Sequence, residues 1–404
     1  MTGSRVKLAM LAIPPILAAA CGGPILANAP APHPIVTIAP SPSVRPADPQ
    51  PVVLPRDDAP HDRLTEWWYY TGHLRDQSGG RWGFEFVIFR AERGSFPVSW
   101  ASHLALTDET GDRFLYAQRS EVGPQVDVNA GSGGATSPAA GFNLALRGLN
   151  ASDPSTFNRS PWSMSGDDGR DGLSATAPAA EALGDPSGGF GLALTLTAVK
   201  PAVLHGGDGY IDFGQAGGSY YYSRTAMSAG GSITVGDRTL TVDGTAWFDH
   251  QWGDFIAVGA GGWDWFAVNL DDGTDITLSL VRAADGSHPL LYGTLVDAAG
   301  KARNLSGSDF TVAVTDRWTS PATGATYPAG WTVTLPAERL TIGLAPTVAR
   351  QELNTVSTTG VIYWEGSQHV TATRAGAPLG GQAYVELTCY AGPNCPCAPA
   401  PVSP

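Results

Sequence analysis

EWWYYTGHL at residues 66–74, RWGFEFVIFR at 81–90 and SWASHLALTD at 99–108 are aromatic and aliphatic runs bounded by Gly, Asp and Ser. Such residues fit a pleated, packed surface, and the runs are spaced like the strands of a sandwich or barrel. RFLYAQRS at 113–120, FNLALRGL at 142–149 and GFGLALTLTAV at 189–199 continue the series. The second half repeats the style in SYYYSRTAM (219–227), SITVGDRTLTVDGTAWF (232–248), WDWFAVNLDDGTDITLSLVRA (263–283), VIYWEGSQHVTAT (361–373) and QAYVELTCY (382–390), with GDR and DDGTD as hairpin turns. No amphipathic helix longer than three turns is legible. The fold class expected is all-β, in two barrels of similar size.

Composition agrees. The 404 residues include 50 Gly and 32 Pro, a pairing that disfavours long helices, and 43% hydrophobic residues, enough for a packed core. With 24 Lys and Arg against 37 Asp and Glu, the net charge of −13 gives no electrostatic reason to bind nucleic acid.

The first 21 residues read as an address. Arg5 and Lys7 precede an apolar stretch, Leu8 to Ala20, that is too short to span a bilayer. Ala18, Ala19 and Ala20 then lead directly to Cys21, the pattern of a bacterial lipoprotein signal in which Cys21 becomes the lipidated N-terminus. The expectation is a lipid-anchored protein of the cell envelope, on the outer face of the cytoplasmic membrane, in the periplasm or outside the cell, whose membrane contact is Cys21. Residues 22–58 are rich in Pro and Ala and read as a spacer. The divisions expected after it are a first barrel at 59–228, a second at 229–392 and a Cys/Pro-rich tail at 393–404. Cys389 can pair with Cys395 or Cys397, a staple that an exported protein permits.

HExxH, GxSxG and P-loop motifs are absent, the eight His show no metal-ligand spacing, and SGDDGRDG at 165–172 lacks the ligands of a calcium loop. No cofactor and no metal are expected. The densest polar and aromatic cluster is WFDHQWGDF at 247–255. In a strand Asp249 and Gln251 share one face, and Phe248, His250 and Trp252 the other. Asp249 and His250 are the candidate acid–base residues; the competing reading has both locking a barrel crossing through hydrogen bonds. In EWWYYTGHL, Glu66, Trp68 and Tyr70 share a face, and carboxylates recur among Trp residues at GWDWF (262–266, with Trp263 and Trp265) and YWEG (363–366). Apolar walls with a few polar points are the profile of a small-molecule site. The ligand contacts expected are Trp252, Trp263, Trp265, Glu66, Trp68 and Tyr70.

Eight blocks in order carry a resemblance: EWWYYTGHL, SYYYSRTAM, GTAWFDHQWGDF, GWDWFAVNLDDG, WTSPATGATYPAGW, RQEL, YWEG and AYVELTCY. From about residue 60 to 390 they resemble the carotenoid 1,2-hydratase (hydroxyneurosporene synthase) and AttH-like family. The resemblance implies two lipocalin-like β-barrel domains packed together with a ligand cavity. For the carotenoid branch it implies cofactor-free addition of water across an isoprenoid double bond, a hydro-lyase reaction. The family's Asp-His-x-Trp pattern falls on Asp249, His250 and Trp252. The lipoprotein-type signal and Cys389 depart from the carotenoid pattern. The function expected is therefore an envelope-anchored protein that binds an elongated, isoprenoid- or lipid-like ligand and hydrates or isomerises it by acid catalysis. The alternative is a non-catalytic lipid carrier working with the proteins of an export system.

Overall fold

The computed structural model describes residues 47–94, 96–129, 141–150, 152–185, 188–255 and 260–392. Cys21, the signal read at 1–21, Cys395 and Cys397 lie outside these residues. Nearly all regular structure is β, and the described helical segments are short 3₁₀ turns. Thirteen strands between Thr65 and Gly253 form one sheet and eleven between Ala260 and Thr388 form another, with every pairing antiparallel. Each sheet curls around its own apolar core. In the first, Trp68, Trp100, Phe142, Leu144 and Phe248 meet from strands far apart in sheet order. In the second, Phe266, Leu278, Trp331 and Trp364 do the same. These are the two lipocalin-like barrels that the sequence predicts.

The division between them lies after Gly253, not at 228/229. Strand Arg238–Gly253 pairs with Thr65–Asp76 on one side and Gly218–Val235 on the other, and so belongs to the first barrel. The spacer also ends earlier than residue 58. Val52 and Leu54 pack against the first core, and Asp58 is buried, accepting hydrogen bonds from Trp68 Nε1 through its carbonyl (3.1 Å) and from the Asp168 N–H through its carboxylate (3.0 Å). Arg63 fastens the same segment, bonded to Asp48 at 2.6 Å and to Asp254 at 2.8 Å.

The barrels pack face to face. Tyr69, Val87 and Trp247 of the first meet Trp265, Ala267 and Tyr384 of the second. This explains why Ser99–Asp108 is buried at every position: one face fills a barrel and the other the joint, so polar-out alternation disappears. By contrast, Phe190–Ala198 alternates because one of its faces meets solvent.

Candidate functional site

Side-chain alternation on the central strands builds two separate clusters. On Thr65–Asp76, Glu66, Trp68 and Tyr70 turn into the first barrel, while Trp67 and Tyr69 turn toward the second. On Arg238–Gly253, Phe248, His250 and Trp252 turn inward, and Trp247 and Asp249 turn to the joint.

The inner cluster is a hydrogen-bonded clasp. Glu66 Oε1 lies 2.9 Å from His250 Nε2 and 2.7 Å from His61 Nδ1, and Oε2 accepts from the His61 main-chain N–H at 2.9 Å. The His61 ring stacks on Trp252 at 4.0 Å, and His250 sits 4.7 Å from both Trp68 and Trp252. Burial would raise the Glu66 pKa, but the two histidines outweigh it and hold the carboxyl down to about 2. Burial lowers His250, whereas Glu66 and Asp57 overcome burial and raise His61. The result is a closed ion pair beside a neutral imidazole. Ligand-type atoms of His61, Glu66 and His250 all lie within 4.8 Å of one another. A metal on His250 Nε2 would push the ring proton to Nδ1, which is buried with no partner, whereas ligating histidines donate that proton to an acceptor. The clasp does not fit a metal.

The outer cluster surrounds a cavity of about 290 Å³ between the barrels. Trp67, Phe89, Trp263 and Trp265 supply apolar walls; Glu85, Asp249 and Glu386 supply carboxyls. Two hydrogen bonds cross the joint reciprocally. Tyr69 Oη donates to Glu365 Oε1 at 2.6 Å, and Tyr363 Oη donates to Glu85 Oε1 at 2.7 Å. The second oxygens of Glu85 and Glu365 are buried and unpartnered. Glu365 and Glu386 face each other as cross-strand partners, an arrangement that penalises two negative charges.

Burial therefore dominates the protonation of this cluster. It pushes Glu85 up to about 8, against the Tyr363 hydrogen bond and helped by Glu386. It pushes Glu386 up to about 7 and, with Glu85 and Glu386 adding to it, Glu365 well above the carboxylate range. Asp249 rises less, to about 6, because Ser223, Tyr221 and Trp247 all donate to it. Tyr221 Oη lies at 2.6 Å and Trp247 Nε1 at 2.6 Å, and Ser223 Oγ also donates. His205 backs this group, its Nε2 2.6 Å from Ser223 Oγ, and burial keeps the ring neutral by lowering it to about 3. At neutral pH the cavity thus sets a protonated Glu85 against an ionised Asp249, the division of roles that acid–base chemistry needs.

A family model described as AttH-like matches residues 45–390. The chain belongs to the AttH-like family. A solved structure described as AttH from Nitrosomonas europaea is 29% identical, with a TM-score of 0.68, over 84% of this chain and 98% of that one. Kievitone hydratase from Nectria haematococca shares the fold at 16% identity, with a TM-score of 0.60, over 84% of this chain and 93% of that one. No curated protein matches the sequence.

In this AttH-like chain the structure brings Asp249, Trp263 and Trp265 together on the cavity. His250, Trp252, Glu66, Trp68 and Tyr70 lie instead in the first barrel's packed interior, where none lines the cavity. Asp249 and His250 consequently do not form one acid–base pair. Glu85 and Glu386 escape sequence reading, although each is a lone carboxylate in an apolar strand, FEF at 84–86 and VEL at 385–387. Cys389 is disulfide-bonded, with a partner outside the described residues.

Proposed function

We propose that this protein is a hydratase that adds water across the carbon–carbon double bond of an apolar, isoprenoid-like ligand held between the barrels. One observation carries the reading: Glu85, whose Oε2 is buried without a partner, lines the same cavity as the lower-pKa Asp249. Glu85, protonated at neutral pH, gives its proton to one alkene carbon, and its other oxygen keeps the Tyr363 hydrogen bond as the carboxylate forms. The other carbon becomes a cation, shielded by the faces of Trp67, Trp263 and Trp265. A water attacks that carbon as Asp249 takes its proton. Return of the proton from Asp249 to Glu85 through solvent closes the cycle, with one water added and nothing oxidised or reduced. The shared fold of kievitone hydratase supports the reaction class by analogy.

The test is incubation with a panel of isoprenoid alkenes in ¹⁸O-water, followed by mass spectrometry. Label should enter a product alcohol with wild type and not with Glu85→Gln. Binding of alkenes without label uptake in wild type would sink the hydratase reading and leave a carrier. The signal read at 1–21 supports a site at the cell envelope; metabolic labelling with a fatty acid, lost in Cys21→Ser, tests the anchor.

A further inference from the structure

Resting on that reading of the cavity, we infer that its ligand carries a carboxylate head, received by Arg93 at the end of the cavity remote from Glu85. Glu85, Val87, Phe89 and Ala91 alternate along strand Arg81–Ala91, and Arg93 follows at the same two-residue spacing. Glu85, Phe89, Ala91 and Arg93 all line the cavity. Six residue steps along the strand carry Glu85 to Ala91, a span of about 20 Å. The row thus begins with an acid, continues apolar and ends with a cation.

Arg93 is unusual among its kind. The other described arginines that are not exposed pair with carboxylates: Arg63 with Asp48, Arg90 with Glu92, Arg119 with Glu181, Arg224 with Asp58 and Arg282 with Asp264, and likewise Arg113, Arg159 and Arg374. Arg93 is half-buried and meets no acid among the described residues. Its Nη1 donates to the carbonyls of Leu64 and Glu92, while Nε and Nη2 have no partner among the described residues. Burial alone acts on the guanidinium, lowering its pKa with no anion to oppose it. The free Nε and Nη2 form the edge of the fork that binds a carboxylate side-on, the geometry Arg56 shows on Asp57 at 2.6 Å through both atoms. Arg90, the neighbouring cation on the cavity, is already engaged by Glu92 and the His61 carbonyl. One free fork matches a carboxylate better than a doubly charged phosphate, which calls for more than one cation.

The test compares farnesoic acid, farnesol and farnesyl phosphate, three heads on one isoprenoid chain, by calorimetric titration of wild type and Arg93→Gln. Wild type should bind the acid on the order of tenfold or more tighter than the alcohol, and tighter than the phosphate. Arg93→Gln should erase the preference, bringing the affinity for the acid down to that for farnesol. Equal affinity of wild type for acid and alcohol, a preference for phosphate, or a preference for the acid that survives in Arg93→Gln overturns the inference and leaves the cavity as the ligand site. Failure of all three to bind overturns the inference and the reading of the cavity together.

Discussion

Asp249 and His250 are neighbours in the chain and point to opposite faces of one strand, Asp249 to the inter-barrel cavity and His250 to the packed interior of the first barrel. Period-two alternation allows no other outcome in an extended segment. The two side chains therefore belong to different parts of the machine. Asp249→Asn keeps the shape and one acceptor oxygen but removes the proposed base, and turnover is expected to fall on the order of 10²–10⁴-fold with ligand affinity unchanged. His250→Ala is expected to cost about 3–5 kcal/mol of stability, since it empties a fully buried site between Trp68 and Trp252 and strips Glu66 of a donor. Its turnover per folded molecule should stay near that of wild type. Calorimetry and steady-state kinetics on both variants decide the matter, and a reversed pattern would refute the assignment.

The pH dependence of turnover follows from the two cavity acids. In the proposed hydration Asp249 must be ionised and Glu85 protonated, so activity should rise through about pH 6 and fall through about pH 8. In Asp249→Asn the acid limb should vanish from whatever activity remains. A flat profile between pH 5 and 9 would contradict the division of roles.

Stability should run the other way across that range. A carboxyl whose folded pKa is raised holds its proton in the native state while the unfolded chain has already lost it. Between the unfolded value and the folded one, the native state binds more protons, and stability therefore falls as pH rises. Glu85, raised from 4.5 to about 8, lowers stability progressively through that window, and Glu386 and Asp249 act likewise up to about 7 and about 6. Glu66 has the opposite sign: held at about 2, its contribution is present above 4.5 and lost as pH falls below it. Melting temperature should thus peak on the acidic side, near pH 4.5–5. Glu85→Gln should flatten the decline toward pH 8, and an unchanged slope in that variant would show that Glu85 ionises normally.

The barrels were legible because strands that pack on both faces, such as Thr65–Asp76 and Ser99–Asp108, read as unbroken aromatic and aliphatic runs. Which barrel claims Arg238–Gly253 was not, since its partner Thr65–Asp76 lies far back in the chain and pairing leaves no local mark. The site was half legible for the same reason. Asp249 stands in a cluster dense enough to notice, whereas Glu85 means nothing until Tyr363, 278 residues away, packs against it. His250 misled because its aromatic setting, unusual for an imidazole, suits a buried clasp as well as a cavity wall. The apolar joint between barrels is what turns separate glutamates into one acid cluster, and no spacing within the sequence encodes it.

That joint leaves no slack at Gly83. A Cβ added there would lie 2.8 Å from Tyr384 Oη, 2.9 Å from Ser367 Cβ and 3.0 Å from Ser367 Oγ, all on the opposite barrel. Replacing Gly by Ala in an unstrained position gains roughly 0.4–1 kcal/mol through the unfolded chain. Overpacking costs roughly 1–3 kcal/mol, and here the contacts are too short to absorb without moving Tyr384 or separating the barrels. The clash should win. Gly83→Ala is expected to lower the melting temperature and, because Glu85 lies two residues away on the same strand face while Tyr363 lies on the other barrel, to lower turnover as well. A melting temperature equal to or above that of wild type would show that the two barrels can part at this point without cost.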